Sequence, residues 1–288
     1  MSNIENKEKK PHWLKSRLPS AHIYSKIKSS LNDGCLNTIC ESGKCPNIGE
    51  CWAAGTATFM ILGNSCTRNC KFCAVDHSKP EPVSHDEAQK LAETVKKFNL
   101  KHCVITSVTR DDLPDKGANH WADCIKKTRL LNPNTTIEVL TPDFNANPEL
   151  IKIVADANPN IFSHNIETVE RLTPFIRSVA QYRRSLEVLS IAHSMGLNIK
   201  SGIMIGLGEN ITEIHDTISD IRKTGASIIT IGQYMRPHYD NVAVSKYYTP
   251  DEFLEIKKYA LSLGFRHVES GPLVRSSYHS IEAISNII

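Results

Sequence analysis

The chain has no apolar run that could cross a bilayer. Its longest, such as Phe59 to Leu62, fall far short of the roughly 18 residues a membrane helix needs. It has little net charge. Lys and Arg number 34 against 31 Asp and Glu, which leaves +3, too even a balance to argue for a nucleic-acid partner. The opening residues MSNIENKEKKPHW have no apolar core of a secretory signal. They contain Glu5 and Glu8, and the first arginine is Arg17, a poor fit to an arginine-rich, acid-poor organellar presequence. Nine cysteines in 288 residues are too sparse, and odd in number, for a disulfide scaffold. No internal repeat or low-complexity tract is visible. Together these absences predict a globular protein of a reducing cytoplasm, with one large domain or two modest ones. In that setting clustered cysteines bind metal or do chemistry.

Residues 1–20 are polar and lysine-rich. From there to Cys51 the chain has no clear periodicity and is dense in Gly, Asn and Cys. Such a stretch needs an ordering agent other than an apolar face, and a metal site is one candidate. From Thr58 the pattern becomes regular. Strands are predicted at Thr58–Leu62, His102–Val108, Thr136–Leu140, Asn160–Ile166, Ile199–Ile205 and Ser227–Ile231, with a short seventh at Phe265–Val268. Helices are predicted at Ser84–Asn99, Trp121–Leu131, Pro148–Asp156, Gln181–Met195, Thr212–Thr224 and Pro250–Leu263. Ser84 and Glu87 read as a capping box opening the first, while Gly196 and Gly264 read as stops. Repeated β–α units imply a parallel sheet. The strand count is short of the eight of a closed barrel. The predicted fold class is therefore α/β, a partial (β/α)6 TIM-like barrel, with a doubly wound open sheet as the alternative. Either places ligands at the C-terminal ends of the strands.

Directly after the first predicted strand, Cys66, Cys70 and Cys73 stand in a C-x3-C-x2-C spacing within one loop. Thiolates are soft ligands for iron–sulfur clusters, zinc or copper(I). A structural zinc site wants a fourth ligand, and none is obvious here. Three thiolates on a four-iron cluster would leave one iron open to a substrate; a zinc knuckle closed by a distant histidine is the alternative. A second triad, Cys40, Cys45 and Cys51, has a C-x4-C-x5-C spacing inside the aperiodic stretch. Two clusters account for two incomplete ligand sets more simply than two zinc fingers do. Cys103 and Cys124 read as core residues, and Cys35 is a rival ligand near the second triad.

The C-x3-C-x-aromatic-C run, with Phe72 before its last cysteine, resembles the signature of radical S-adenosylmethionine (SAM) enzymes. The earlier triad, together with Arg275-Ser276-Ser277-Tyr278-His279, resembles the lipoyl synthase family within it. The segments Thr106–Leu113, His164–Thr168, Ser201–Glu209 and Gly232–Pro237 are similar to that family too, so the likeness runs over about residues 35–281.

The resemblance implies two four-iron, four-sulfur (4Fe-4S) clusters. The first is held by Cys66, Cys70 and Cys73, and its open iron chelates S-adenosylmethionine for reductive cleavage. The second is an auxiliary cluster on Cys40, Cys45 and Cys51, with Ser277 as fourth ligand, which gives up its sulfurs. An alkoxide is a hard and releasable ligand for iron. The reaction implied is insertion of two sulfurs at carbons 6 and 8 of an octanoyl group on a lysine of a lipoyl carrier domain. Ser277 and the three radical-cluster cysteines are the implied catalytic residues. Phe72, Ser107, Asn165, Glu167, Gly202, Gly206 and Gly208 are candidates to bind the cofactor; for Asn165 and Glu167 a solvent-facing loop pair is the plain alternative, and a tight turn for the glycines. Arg110, Asp111 and Asp112 are either a solvated charge run or a holder of substrate or lid. The implied partners are octanoylated carriers (2-oxoacid dehydrogenase E2 subunits and the glycine cleavage H protein), an electron donor and a cluster-repair protein, without nucleic acid or membrane.

The division expected is a 1–52 extension with the auxiliary cysteines, a 53–269 partial barrel and a 270–288 tail. A basic leading segment (Lys7, Lys9, Lys10, Lys15, Arg17) is a solvated tail or a dock for an acidic carrier. The chain departs from the family's pattern at Lys116, which replaces the first glycine of LPDGGA, and at Asn241-Val-Ala-Val244, which replaces His-Leu-Pro-Val. A biotin-synthase-like or other sulfur-inserting radical enzyme, or a non-catalytic cluster scaffold, are the competing readings.

Overall fold

The computed structural model describes residues 10–15, 37–42, 45, 47–53, 56–278 and 280–285. Cys35, His279, Lys7, Lys9 and Arg17 lie outside the described residues. Strand β1 (Asn37–Thr38) leads into two short helices, α1 (Ile39–Ser42) and α2 (Ile48–Ala53). The aperiodic stretch thus carries helices too short to show a period, with Cys40 on one and Cys51 on the other. A regular alternation follows: β2 (Thr56–Ile61), α3 (Glu87–Lys97), β3 (His102–Ser107), α4 (Ala118–Leu131), β4 (Thr136–Leu140), α5 (Pro148–Asp156) and β5 (Ile161–Ser163). The short α6 (Thr173–Ile176) precedes α7 (Tyr182–Ser194), β6 (Ile199–Ile205), α8 (Ile211–Lys223), β7 (Ile228–Gln233), α9 (Pro250–Ser262), β8 (His267–Gly271) and α10 (Ser280–Ser285).

Strands β2 to β8 pair in parallel, each with its neighbour in sequence, and β1 adds an antiparallel edge to β2. The sheet does not close: β8 pairs with β7 and not with β1 or β2. Six β–α units and a seventh strand make the expected partial barrel, and the seventh strand lies slightly later than predicted. The predicted strand Asn160–Ile166 is cut back to Ile161–Ser163. Past Ser163 the N–H groups of Ile166 and Glu167 both turn to the Gly202 carbonyl, each at 3.1 Å, which ends the ladder.

Side-chain caps set three of the helix starts. Asn147 accepts from the backbone of Glu149 and Leu150 ahead of Pro148. Asn210 with Glu213, and Thr249 with Glu252, form reciprocal capping boxes. The box expected at Ser84 and Glu87 does not form. Glu87 turns inward instead, accepting the Leu62 N–H at 2.8 Å and pairing with His120 Nε2 at 2.6 Å. Ser84 bonds Asp86, and α3 begins at Glu87 without a side-chain cap. Gly196 and Gly264 stop their helices at positive φ, as expected.

The strands' two faces divide the labour, because successive side chains alternate. Outward residues such as Phe59, Ile105, Val139, Ile203 and Ile231 pack beneath the helices in one core with Leu91, Trp121, Ile125, Leu189 and Ile218. Cys103 and Cys124 are buried there, as core residues. Met60, Thr106, Leu140, Gly202 and Thr230 face a cavity at the C-terminal ends of the strands. Two residues below, on the same faces of β4 and β6, Glu138 and Lys200 meet at 2.8 Å with His102 at 3.6 Å from the carboxylate. Burial would raise the Glu138 pKa, but Lys200 and His102 outweigh it and hold it low. This pair lies beneath the cavity, almost fully buried. Lys200→Met should therefore leave a buried charge and cost about 3–5 kcal/mol, read by chemical denaturation, while Lys200→Met with Glu138→Leu should recover most of that loss.

Candidate active site

Residues 64–78 connect β2 to the approach of α3 with almost no regular structure, and they carry Cys66, Cys70 and Cys73. Three sets of bonds hold this loop. At its neck, Cys66 N donates to Asp76 O at 2.8 Å and Ser65 Oγ bonds the Asp76 carboxylate at 3.1 Å. In its middle, Arg68 is buried and meets Asp111 at 2.7 Å and Asp143 at 2.8 Å. At its far side, Lys71 N donates to Ile176 O at 2.9 Å, and Asn241 Nδ2 donates to the carbonyls of Lys71 and Cys73 at 3.1 and 2.9 Å.

The thiols are presented to each other. The Cys73 thiol is pushed up to about 11 by burial and by Cys70 and Cys66 beside it. Burial likewise raises Cys70, against the pull of Arg177. Backbone N–H groups point at the sulfurs: Thr109 N and Arg68 N to Cys66 Sγ at 3.3 and 3.4 Å, and Val75 N to Cys73 Sγ at 3.5 Å. Such thiols ionise when a soft cation takes them. Among the described residues no three His, Cys, Asp or Glu converge as for a single ion. A multi-iron cluster spreads its ligands more widely, so the soft donors and the waiting N–H groups fit one.

A cavity of about 350 Å³ opens beside this loop, within the range of small-ligand sites. Phe72, Ser107, Asn165, Glu167 and Gly202 all line it. The Ser107 Oγ has no hydrogen-bond partner among the described residues. Glu167 holds a positive φ of 69°, and burial raises its carboxyl pKa against Arg177 and an Asn165 hydrogen bond. Gly202 is required by space: a Cβ there would lie 2.5 Å from Thr230 Oγ1 and 2.9 Å from Asn165 Oδ1. Gly206 and Gly208 are not brought to this cavity. They shape a turn in which the Glu209 carboxylate accepts from Gly206 N and Leu207 N at 2.5 and 2.9 Å. A second cavity of about 270 Å³ shares Phe72, Cys73, Met204 and Arg275 with the first, and Lys10 reaches it.

The second triad is also gathered. The Cys51 thiol is pushed up to about 12 by burial and by Cys45, Cys40 and Glu50 nearby. The C-terminal tail comes to it. Asn47 Nδ2 donates to Leu273 O at 2.6 Å, Tyr278 OH to Glu50 at 3.1 Å, and Thr58 Oγ1 to Ser277 Oγ at 2.8 Å. The Arg275 charge favours the Cys45 thiolate against burial. Asn165 Nδ2 donates to Ser276 Oγ at 2.7 Å, tying the tail to the end of β5. Gly232 lets the tail cross, since a Cβ there would meet Val274 O at 2.2 Å.

Residues 60–221 match the radical SAM superfamily, and residues 2–45 match the N-terminal domain of lipoyl synthase. A lipoyl synthase of Flavobacterium johnsoniae is 51% identical over 270 residues, covering 93% of this chain and 94% of that protein. One of Rubrobacter xylanophilus is 52% identical over 275 residues, covering 95% and 86%. The chain belongs to the lipoyl synthase family. Among solved structures, methylornithine synthase is similar with a TM-score of 0.59 at 11% identity, covering 89% of this chain and 80% of that one. HydG, a maturase of the FeFe-hydrogenase, has a TM-score of 0.57 at 12%, covering 94% and 68%. These likenesses show the fold. A radical SAM member uses a four-iron, four-sulfur cluster and S-adenosylmethionine.

The departures from the lipoyl synthase pattern fall on structured positions. Lys116 adopts a φ of 50°, where glycine is freer, and its Nζ lies 3.6 Å from Asp111. Asn241 is one of the clamps on the cysteine loop. The Arg110–Asp112 run is not a solvated stretch: Arg110 is buried, bonded to Asp112 and to Leu62 O, and Asp111 anchors Arg68. Sequence reading missed Arg68, Asp143, Arg177 and Asn241 as site residues. Two of them carried a signal: Arg68 as a charged residue inside the triad, and Asn241 as a departure from the family's pattern.

Asp143 yields a pH test. Burial would raise its carboxyl, yet Arg68 holds it well below the usual carboxylate range. Its ionised form therefore stabilises the fold above its unfolded pKa of about 3.9, and that contribution fades as pH falls toward the lower folded value. In cluster-free protein, Asp143→Asn should cost about 3–5 kcal/mol at pH 7. Urea denaturation across the acid range should show this gap shrinking below about pH 4.

Proposed function

We propose that this chain inserts two sulfur atoms into an octanoyl group carried on a lysine of a lipoyl carrier domain, at carbons 6 and 8. The observation that carries this reading is that the cavity walled by the first triad is also walled by residues next to the second set. Cys66, Cys70 and Cys73 line it on one side, and Ile39, Arg275 and Ser276, neighbours of Cys40 and Ser277, line it on another. Family membership supports the lipoyl carrier as substrate.

In this reading Cys66, Cys70 and Cys73 hold the radical cluster. With S-adenosylmethionine bound there, that cluster supplies one-electron chemistry able to attack unactivated C–H bonds. Phe72, Ser107, Asn165, Glu167 and Gly202 bind and orient the cofactor, while Gly206 and Gly208 act through the turn they shape. Glu167 and Asn165 offer a carboxylate and an amide to polar groups of the ligand. Ser107 offers an unpaired hydroxyl. The tail that follows β8 reaches β2 through Ser277 and Thr58. Cys40, Cys45, Cys51 and Ser277 would hold the auxiliary cluster, which would supply the sulfur. The reading divides the chain at about 52 and 270 and locates the reaction in the cytoplasm. Its partners are E2 subunits and the H protein, an electron donor and a cluster-repair protein. Among the described residues no helix is long and apolar enough to cross a membrane.

The test is an anaerobic assay by mass spectrometry with reconstituted protein, S-adenosylmethionine, a reductant and an octanoyl-lysyl peptide. Wild type should add two sulfurs. Cys45→Ala and Ser277→Ala should still release 5′-deoxyadenosine yet complete no double insertion, and Cys70→Ala should do neither. Wild type with both clusters loaded that releases 5′-deoxyadenosine but adds no sulfur would remove the substrate assignment.

A further inference from the structure

We propose that Asn241 is a positioning residue for the radical triad, fixing the peptide on either side of Phe72 and thereby the third cysteine. The inference rests on the reading of Cys66, Cys70 and Cys73 as cluster ligands. The segment from Lys71 to Cys73 is pinned from outside the loop mainly by residues just past β7. Asn241 Nδ2 donates to Lys71 O at 3.1 Å and to Cys73 O at 2.9 Å. Val242 N donates to Lys71 O at 3.1 Å. Three bonds from two adjacent residues thus satisfy the two carbonyls that flank Phe72. Phe72 and Cys73 each wall both cavities, so the direction of that peptide sets two site walls at once.

The loop that delivers Asn241 is itself braced. Tyr234, almost fully buried at the end of β7, donates its hydroxyl to Val242 O at 2.7 Å. Arg236 Nε donates to His238 O at 3.1 Å and Asn241 O at 2.9 Å, and Arg236 also bonds Tyr239 O. The strut therefore runs from the sheet, through Tyr234 and Arg236, to the carboxamide of Asn241. The chemistry selects an amide: one nitrogen carries two N–H donors for two carbonyl acceptors. A carboxylate at the same place would set oxygen against oxygen. The histidine the family usually has there carries one N–H per ring nitrogen, so one ring nitrogen satisfies one carbonyl.

The experiment uses full-length, anaerobically reconstituted protein. Asn241→Asp, Asn241→Ala and Asn241→His are compared with wild type by two readouts. One is amide hydrogen exchange at residues 71–74. The other is the change in the EPR signal of the reduced protein on titration with S-adenosylmethionine, which reports only the cluster that the cofactor touches. Asn241→Asp should speed exchange at 71–74 by about tenfold, the effect of losing one net hydrogen bond, and raise the half-saturating cofactor concentration by about as much. Asn241→Ala should show a smaller shift, and Asn241→His should recover part of it, while exchange in β3 and β4 stays unchanged. Wild-type behaviour of Asn241→Asp in both readouts would overturn the proposal, and so would exchange rising equally across the sheet. Cys73→Ala is run alongside. If it loses the cofactor-responsive signal while Asn241→Asp behaves as wild type, only the role of Asn241 falls; if it keeps that signal, the ligand reading falls and takes the proposal with it.

Discussion

The guanidinium of Arg68 sits buried between two thiol-bearing positions of a loop that has almost no regular structure. A charge in that place is tolerated only when paired and hydrogen-bonded. Asp111 comes from the loop after β3 and Asp143 from the loop after β4, and Arg184 from α7 adds a second cation to Asp143 at 2.9 Å. The need to neutralise one arginine thus ties three β–α connections together over the mouth of the barrel. A loop of this kind buries too little apolar surface to hold its own shape. With Arg68 anchored, its neck closed through Asp76 and its far side clamped by Asn241, the three thiols are gathered in the protein itself. The ordering cost of cluster binding is then met largely by folding.

The open sheet creates a second requirement. A closed barrel would pair its last strand with its first, but here β8 and β2 are left apart. Side chains of the N- and C-terminal segments bridge that opening: Asn47 to Leu273, Thr58 to Ser277, and Glu50 to Tyr278. The same contacts bring the tail to the second cysteine set and set Arg275 and Ser276 in the cavity wall. Closure of the fold and assembly of the second site are one event. Below the cavity, Lys200 and Glu138 occupy interior space with a matched polar pair, a choice that costs desolvation and yields strict geometry at the floor of the site.

Several features were legible in residue order because they are local. The two triads and the six strong β–α units depend on spacing or neighbours within a few residues. Cys103 and Cys124 read correctly as core from strand and helix periodicity. The failures are non-local. Glu87 fits a capping box by spacing, but His120 and the Leu62 N–H compete for its carboxylate from α4 and the end of β2. Gly206 and Gly208 lie near a strand end in sequence, yet they shape a turn outside the cavity in which Glu209 takes the amides of Gly206 and Leu207. For Arg110 to Asp112 the sequence leaves a solvated run and a holder of substrate or lid side by side, and the partners of Arg110 and Asp111 in the folded chain exclude the solvated run. Asn241 stands 168 residues from the carbonyl of Cys73 that it holds.

The sequence by itself determined the soft-ligand chemistry, the parallel α/β class and the family pattern, because thiol spacing and strand periodicity are properties of consecutive residues. The folded chain alone shows that residues beside the second triad wall the cavity of the first, that the tail serines face Thr58 and Asn165, and that Arg68 and Asn241 hold the cysteine loop. Those contacts join segments tens to hundreds of residues apart. Their partners are chosen by burial and hydrogen-bond satisfaction in the folded chain, which no local pattern encodes.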